Sequence, residues 1–315
     1  MDHFDYKYYL EKYTDLSHLD YDKALDHYIT YGKKEGRVAC KKFANTVTNI
    51  TIVLHLFNTN LFDEMKSYIK NVIDVFSNVN IIISINENSN FKDEIIKIFP
   101  NAVVLKVENK GVDIYPFLLS IEYIRKRNIK TDFILKLHTK ESSNIVENLK
   151  NWRKDLIEPI VNCNNLLIIQ NYFKKYKNIG YIASQKCALP KNFDLDFKHN
   201  IKGINDLCDK FPHLEKEWTD FNGGNIFWIS NDVLNSYLTP ELIKYITERI
   251  FTGGKLPSNL TDKRIFIEYL CERIFTGIFC YKKTNILVNE FKAKYNHDNM
   301  FYYQILLIYN ITINK

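Results

Sequence analysis

The sequence predicts an α/β fold: a mostly parallel sheet with helices on both faces, preceded by a small helical appendage. Two observations carry the prediction. From Asn49 onward, aliphatic and β-branched runs alternate strictly with segments of helical period. Such alternation builds parallel sheets, because each strand needs a crossover to reach its neighbour. Ahead of that point, Phe4 to Arg37 is dense in Tyr, His, Lys and Asp, and its apolar residues recur only at helical spacing.

Taken in order, the appendage reads as two short helices joined near Ser17. Tyr9, Tyr13 and Leu16 share a face of the first, and Ala24, Leu25, Tyr28 and Ile29 a face of the second. Gly32 and Gly36 supply stops, and Lys33, Lys34 and Arg37 suit the negative end of the second helix dipole. Val38 to Thr48 reads as a linker, so the expected division is a helical module over 1–40 and one large domain over 50–315. NITIVLHLF from Asn49 is a buried strand, and Leu61 to Phe76 a helix with Phe62, Met65, Ile69 and Ile73 on one face. VNIIISIN is a second strand, Phe91 to Phe99 a short helix closed by Pro100, and Ala102 to Val107 a third strand. Pro116 to Arg127 is a helix whose Pro sits near the first turn, and FILKLHT from Phe133 is the fourth strand. Beyond Trp152 come helices over Asp155 to Tyr176, the short strand GYIAS, and a loop through Asn192 to Asn205. GGNIFWIS from Gly223 reads as a strand, Pro240 to Phe251 and Lys263 to Phe275 as helices, and the regions near Ile286 and Ile305 as short strands.

Composition bounds the function. The chain has 315 residues, 46% hydrophobic and 25% charged, enough for one large core with an appendage. Its 43 Lys+Arg against 37 Asp+Glu give a net charge of +6, which suits an anionic ligand. That excess is well short of a nucleic-acid binder, and acidic residues interleave throughout. Cys40, Cys163, Cys187, Cys208, Cys271 and Cys280 show no CxxC pair and read as reduced thiols. The opening MDHFDYKYYLEKY lacks the basic and then apolar pattern of a secretion leader, and no apolar run is long enough for a transmembrane segment. A cytoplasmic location is therefore expected, and the sequons at Asn49, Asn259 and Asn310 are chance matches in an Asn-rich chain.

In a parallel sheet, ligand chemistry gathers at the carboxyl ends of the strands. Here they carry His55, Phe57 and Asn58, then Ser84, Asn86 and Glu87, then NKGVDIYPF from Asn109, then KLHTKES from Lys136. In NKGVDIYPF, Gly111 permits a left-handed backbone, Asp113 can accept from a sugar hydroxyl, and the following helix offers amides to a phosphate. The same residues also read as a tight turn with Asp113 as an N-cap. Lys136, His138 and Lys140 alternate and so share one face. Burying them without a partner is costly, so they read as an exposed edge or an anion site. FNGGNIFWIS, with Trp218 ahead and Trp228 within, sets Gly223 and Gly224 beside flat aromatic faces that suit sugar rings. An aromatic core strand with a bulge fits the same pattern. Glu268 and Glu272 lie one turn apart, as a catalytic carboxylate or as a solvated face. There is no GxxxxGK[ST], no GxGxxG after a strand, no GxSxG and no HExxH.

Six ordered stretches carry a resemblance: NKGVDIYPFL, ILKLHTKES, NWRKDLI, IGYIAS, FNGGNIFWIS and YLCERIF. In order and rough spacing they are similar to the rhamnan synthesis protein F family, over about residues 50 to 282. The amino-terminal stretch looks like a small helical module often joined to glycosyltransferases of bacteria and large DNA viruses. The resemblance implies a GT-A-like, Rossmann-like glycosyltransferase domain. Such a domain moves a sugar, rhamnose or a related deoxyhexose, from a nucleotide-sugar donor to a hydroxyl of a glycan or glycoconjugate acceptor. It implies donor contacts at His55, Asn86, Asn109, Gly111, Asp113, Lys136, His138 and Lys140, and acceptor contacts at Trp218, Gly223, Gly224 and Trp228. It places the acceptor-activating base among Asp220, Glu268 and Glu272. Metal-dependent relatives hold a divalent metal such as Mn or Mg on a DxD motif at the end of the fourth strand, where this chain has His138, Thr139 and Lys140. No cofactor is firmly implied, and Lys136, His138 or Lys140 is expected to neutralise the leaving diphosphate. The competing readings are an inactive carbohydrate- or nucleotide-sugar-binding protein of the same fold and, less well supported, a nucleic-acid binder.

Overall fold

The computed structural model describes residues 4–32, 35, 37, 48–139, 151–175, 178–191, 197–252 and 266–288. Lys33, Lys34, Gly36, Lys140 and the strand expected near Ile305 lie outside the described residues. The chain opens with α1 (Tyr6–Lys12), a 3₁₀ turn (Thr14–Leu16) and α2 (Tyr21–His27), which runs on into a π-helical turn (Tyr28–Gly32). Then follow β1 (Asn49–His55), α3 (Phe62–Val75), β2 (Asn78–Asn86), α4 (Lys92–Ile98), β3 (Val103–Val107), α5 (Ile114–Lys126) and β4 (Phe133–His138). The second half holds α6 (Trp152–Val161), α7 (Cys163–Lys175), β5 (Ile179–Ser184), β6 (Ala188–Pro190), α8 (Phe197–Lys210), β7 (Asp220–Asn222) and β8 (Phe227–Ser230). It continues with α9 (Asn231–Tyr237), α10 (Pro240–Thr247), α11 (Ile267–Arg273) with a π-helical turn (Ile274–Ile278), and β9 (Thr284–Val288).

Seven strands form one sheet in the order β3-β2-β1-β4-β8-β5-β9, and β6 pairs with β7 in a second, two-stranded sheet. β1 runs parallel to β2 and β4, β2 to β3, and β5 to β9. β8 runs antiparallel between β4 and β5, with Trp228 opposite Leu135 and Phe227 opposite Lys136. Alternation along the strands feeds two cores. Ile50, Ile52, Leu54, Leu135 and Leu137 face α3, α6 and α7, whereas Val53, Ile82, Ile134, Phe227 and Ile229 face α5, α8, α9, α10 and α11. Helices therefore cover both faces, and the first four strands and their helices follow the sequence reading closely.

Three local expectations are corrected. The loop expected through Asn192 to Asn205 gives way from Phe197 to α8, whose Ile204, Leu207 and Cys208 are buried at helical spacing amid many Lys, Asn and Asp; residues 192–196 lie outside the described residues. The strand expected from Gly223 begins only at Phe227, as β8 of the large sheet; residues 223–226 form a turn that joins it to β7 of the small sheet. The helix α9 follows β8 directly where no element was read.

The helical module has its own core of Tyr9, Leu16, Ala24 and Tyr28. Its helices are capped by Asp5, which accepts from Tyr8 N at 3.0 Å, and Asp20, which accepts from Lys23 N at 2.9 Å. Tyr28 Oη donates to Asn164 Oδ1 at 2.9 Å, and Lys12 Nζ lies 4.0 Å from Asp74 Oδ1 at the end of α3. Because α3 runs back from the carboxyl edge of the sheet to its amino edge, the module sits at the amino edge. No helix among the described residues is long and apolar enough to cross a membrane.

Candidate active site at the carboxyl edge

Beyond β3 the chain must reverse within a few residues to start α5. It does so through two left-handed residues, Gly111 (φ +62°) and Val112 (φ +50°). A Cβ on Gly111 would stand 2.6 Å from Ile250 Cγ2, so glycine is required for space as well as conformation. A β-branched residue in this region is strained, and Val112 is also largely exposed. Gly111 N donates to Phe251 O at 3.1 Å, and the Gly111 carbonyl receives the amides of Ile114 (2.9 Å) and Tyr115 (3.3 Å). Pro116 has no amide to give. The start of α5 therefore spends these amides on its own turn, which corrects the expectation that they await a phosphate.

Asp113 stands at the N-cap position but makes no capping bond. Its Oδ2 instead accepts from Lys136 Nζ at 2.5 Å and from Asn225 Nδ2 at 2.7 Å, with His138 Nδ1 at 3.7 Å. Lys136 is 1% exposed, lies over the rings of Phe117 and Phe227, and also donates to Asn225 O at 2.8 Å. An ammonium in such surroundings costs several kcal/mol unless paired. The chain supplies the anion itself, so the expectation that Lys136 meets a diphosphate is corrected: it holds Asp113. His138 lies on the same face of β4 and is also buried.

His55 ends β1 and shares Nδ1 with Ser84 Oγ at 3.0 Å. Burial pushes its pKa down to about 4, Lys136 pushes in the same direction and Asp113 opposes, so the imidazole is neutral at pH 7. Thr139 Oγ1 receives the amides of Phe57 (3.0 Å) and Asn58 (2.9 Å). Where a DxD motif would stand, one hydroxyl is thus committed to backbone and the nearest carboxylate to an ammonium. Among the described residues no group of three or more His, Cys, Asp or Glu is arranged to hold a metal ion. These groups do not fit a divalent cation.

The two helix carboxylates brace the same cluster. Glu268 Oε1 accepts from Phe251 N at 2.7 Å, and Phe251 in turn holds Gly111. Burial pushes the Glu268 carboxyl above its ordinary value, two backbone hydrogen bonds oppose this, and the charge of Asp113 adds to it. Glu272 Oε1 accepts from Gly224 N at 2.5 Å and its side chain is a quarter exposed, at 25%. Asp220 stands apart at the start of β7, where Thr219 Oγ1 donates to it at 2.6 Å. Asn86, which accepts from Asn88 N at 2.9 Å, and the exposed Asn109 also lie at the carboxyl edge, outside the Asp113 cluster.

The proposed aromatic platform is corrected. Trp228 is fully buried, donates Nε1–H to Ile160 O at 3.0 Å and packs on Phe76 and Phe173. Trp218 is buried against Phe221 with Lys191 over its ring. Gly223 donates to Cys187 O at 2.8 Å, and Leu189 occupies the space a Cβ would need. These residues form an aromatic core with no open face for a sugar. Gly224 differs, since its φ of +86° and its bond to Glu272 shape the turn that delivers Asn225. Asn225, itself left-handed at φ +60°, was passed over in the sequence. Asn directly after Gly-Gly was the available signal, because Asn is the side chain that best tolerates that region.

A held carboxylate, a buried lysine and two histidines thus converge at the carboxyl edge of the parallel strands of an α/β domain. The chain belongs to the rhamnan synthesis protein F family, whose model matches residues 4–275 and so takes in the helical module and all of the large sheet except β9. Among curated proteins, none matches the chain. Among solved structures, it is similar to the mannosyltransferase PcManGT from Pyrobaculum calidifontis, in complex with GDP-Man and Mn2+, at 10% identity and a TM-score of 0.31. That match covers 67% of this chain and 53% of the other, so the chain spans about half the length of that protein.

Proposed function

We propose that this protein transfers rhamnose or a related deoxyhexose from a nucleoside-diphosphate donor to a hydroxyl of a glycan or glycoconjugate. The family supports the reaction class, and the observation that carries the site is Asp113, fixed through Oδ2 at the carboxyl edge. In this reading Asp113 accepts a hydroxyl of the donor. Glu272, beside Gly224 and partly open, takes the proton of the acceptor hydroxyl as the new bond to the sugar's anomeric carbon forms. The bond from that carbon to the diphosphate breaks, and the electron pair leaves with the diphosphate. Lys140 is the cation assigned to it, with the His138 imidazole beside the site as a hydrogen-bonding group. Residues 50–315 make the catalytic domain and residues 1–40 a module attached to it. A cytoplasmic location fits Cys163, Cys187, Cys208, Cys271 and Cys280, all buried free thiols.

A thermal-shift screen with nucleoside diphosphates and their deoxyhexose conjugates tests the donor site, since a ligand of the native state alone raises the melting temperature. Asp113→Ala abolishes that shift; an unchanged shift means the donor binds elsewhere. Purified protein also releases nucleoside diphosphate from its donor, whereas an inactive binder releases none. Turnover persists in excess EDTA, and complete loss with rescue by manganese would overturn the cation assignment.

A further inference from the structure

Asn225 lies on no strand or helix and belongs to none of the assignments above, yet it touches both members of the buried ion pair. Its Nδ2 donates to Asp113 Oδ2 at 2.7 Å, and its main-chain carbonyl accepts from Lys136 Nζ at 2.8 Å. The orientation of the amide is fixed by chemistry, because an ionised carboxylate only accepts and so must face the NH2. That leaves Asn225 Oδ1 buried, with no hydrogen-bond partner among the described residues. A buried acceptor left this way is costly, and a hydroxyl-bearing molecule in the site would relieve it. The left-handed backbone at φ +60° is what lets one residue present both its amide and its carbonyl to the same ion pair.

We infer that Asn225 is a positioning residue for the glycosyl transfer proposed above. Its amide aims and keeps ionised the Asp113 carboxylate, while its carbonyl anchors the lysine beneath. The inference rests on that reading of the reaction. Among the described residues, the titratable groups that face Asp113 include Lys136 and His138 from β4, His55 from β1, and Glu268 and Cys271 from α11. Of these, the lysine favours the ionised carboxylate and Glu268 disfavours it, so the neutral donor from Asn225 reinforces the lysine.

Asn225→Gly isolates the amide, because glycine keeps the left-handed turn and the carbonyl that binds Lys136. The expected result is a fall in kcat of about tenfold or more with KM little changed, as befits one hydrogen bond to a charged group. The acid limb of the pH profile moves up by about one unit, since the lost donor favoured the ionised form. Asn225→Asp, which keeps the size and the backbone tolerance but adds a second carboxylate, moves the limb further in the same direction. The tether is also read without turnover, by carbon-13 NMR of the Asp113 carboxylate, assigned with Asp113→Asn. A titration midpoint that rises in Asn225→Gly supports the tether; an unmoved midpoint with wild-type kcat overturns it. If the midpoint rises but no donor is ever turned over, the tether stands and the transferase reading falls.

Discussion

At the amino edge of the sheet, the helical module meets the domain through groups that satisfy one another. Tyr28 gives its hydroxyl to Asn164, Lys12 approaches Asp74, and Asp5 and Asp20 cap their helices. At the carboxyl edge the same rules are broken within a few residues. Val112 and Asn225 hold positive φ, Asp113 occupies a cap position without capping, and a lysine is buried. Asn222, Asn225 and Glu268 each keep a buried polar atom with no partner among the described residues. Stability alone accounts for the first region. Single costs of this kind occur elsewhere, as at Asn128 (φ +49°) and at Asn165 Oδ1 and Gln170 Oε1, buried with no partner among the described residues; at the carboxyl edge they gather around one ion pair, as a binding site would require.

The comparison can be broken hardest at the ion pair. Lys136→Ala leaves the Asp113 carboxylate without its cation and is expected to cost about 3–5 kcal/mol, whereas Asp113→Asn combined with Lys136→Met costs much less. Urea denaturation of both variants decides it, and an equal loss in the two would show that the pairing does not matter.

A smaller effect belongs to His55. Its folded pKa of about 4 lies below the ordinary value of 6.5, so in that window the unfolded chain binds the extra proton. The stability it contributes is present above pH 6.5 and is lost as pH falls toward 4. The size is about 2 kcal/mol over the whole window, discounted for the partial exposure of the ring. Glu268, shifted upward, acts with the opposite sign and gains stability as the solution becomes acid. Replacing His55 by Gln flattens the decline of the urea midpoint between pH 6.5 and 4; a slope identical to wild type would remove His55 from the account.

The smallest effect lies at the other edge. Tyr28→Phe deletes the bond to Asn164 and is expected to cost about 1 kcal/mol, with the donor-induced thermal shift unchanged. A change in that shift would mean the two edges are coupled, and the contrast between them would need redrawing.

Much of the sheet was legible because β1 to β4 are apolar runs whose faces are set by alternation, and their helices bury residues at 3.6 spacing. Asp113, His138 and His55 were legible as neighbours because strand ends in such a sheet converge. The partner of Lys136 was not. Asp113 is 23 positions away, and the reading of cations at a strand end allowed for an external anion but not for one from the neighbouring turn. Trp228 misled for a related reason: an aromatic residue on a strand shows its period but not which side of the sheet is covered. α8 was missed because its apolar positions are sparse among charged and amide residues.

The reversed strand β8 has one more consequence, for the order in which the molecule assembles. β4 and β5 are not neighbours in the sheet, and residues 227–230 pair with both. That pairing brings the preceding turn, and with it Asn225, to Lys136 and Asp113. A nascent chain that ends before Ile226 can pair β1 to β4 but leaves β4 as an open edge with its lysine still short of an anchor. The hold on the Asp113 carboxylate is thus complete only once β8 has joined β4.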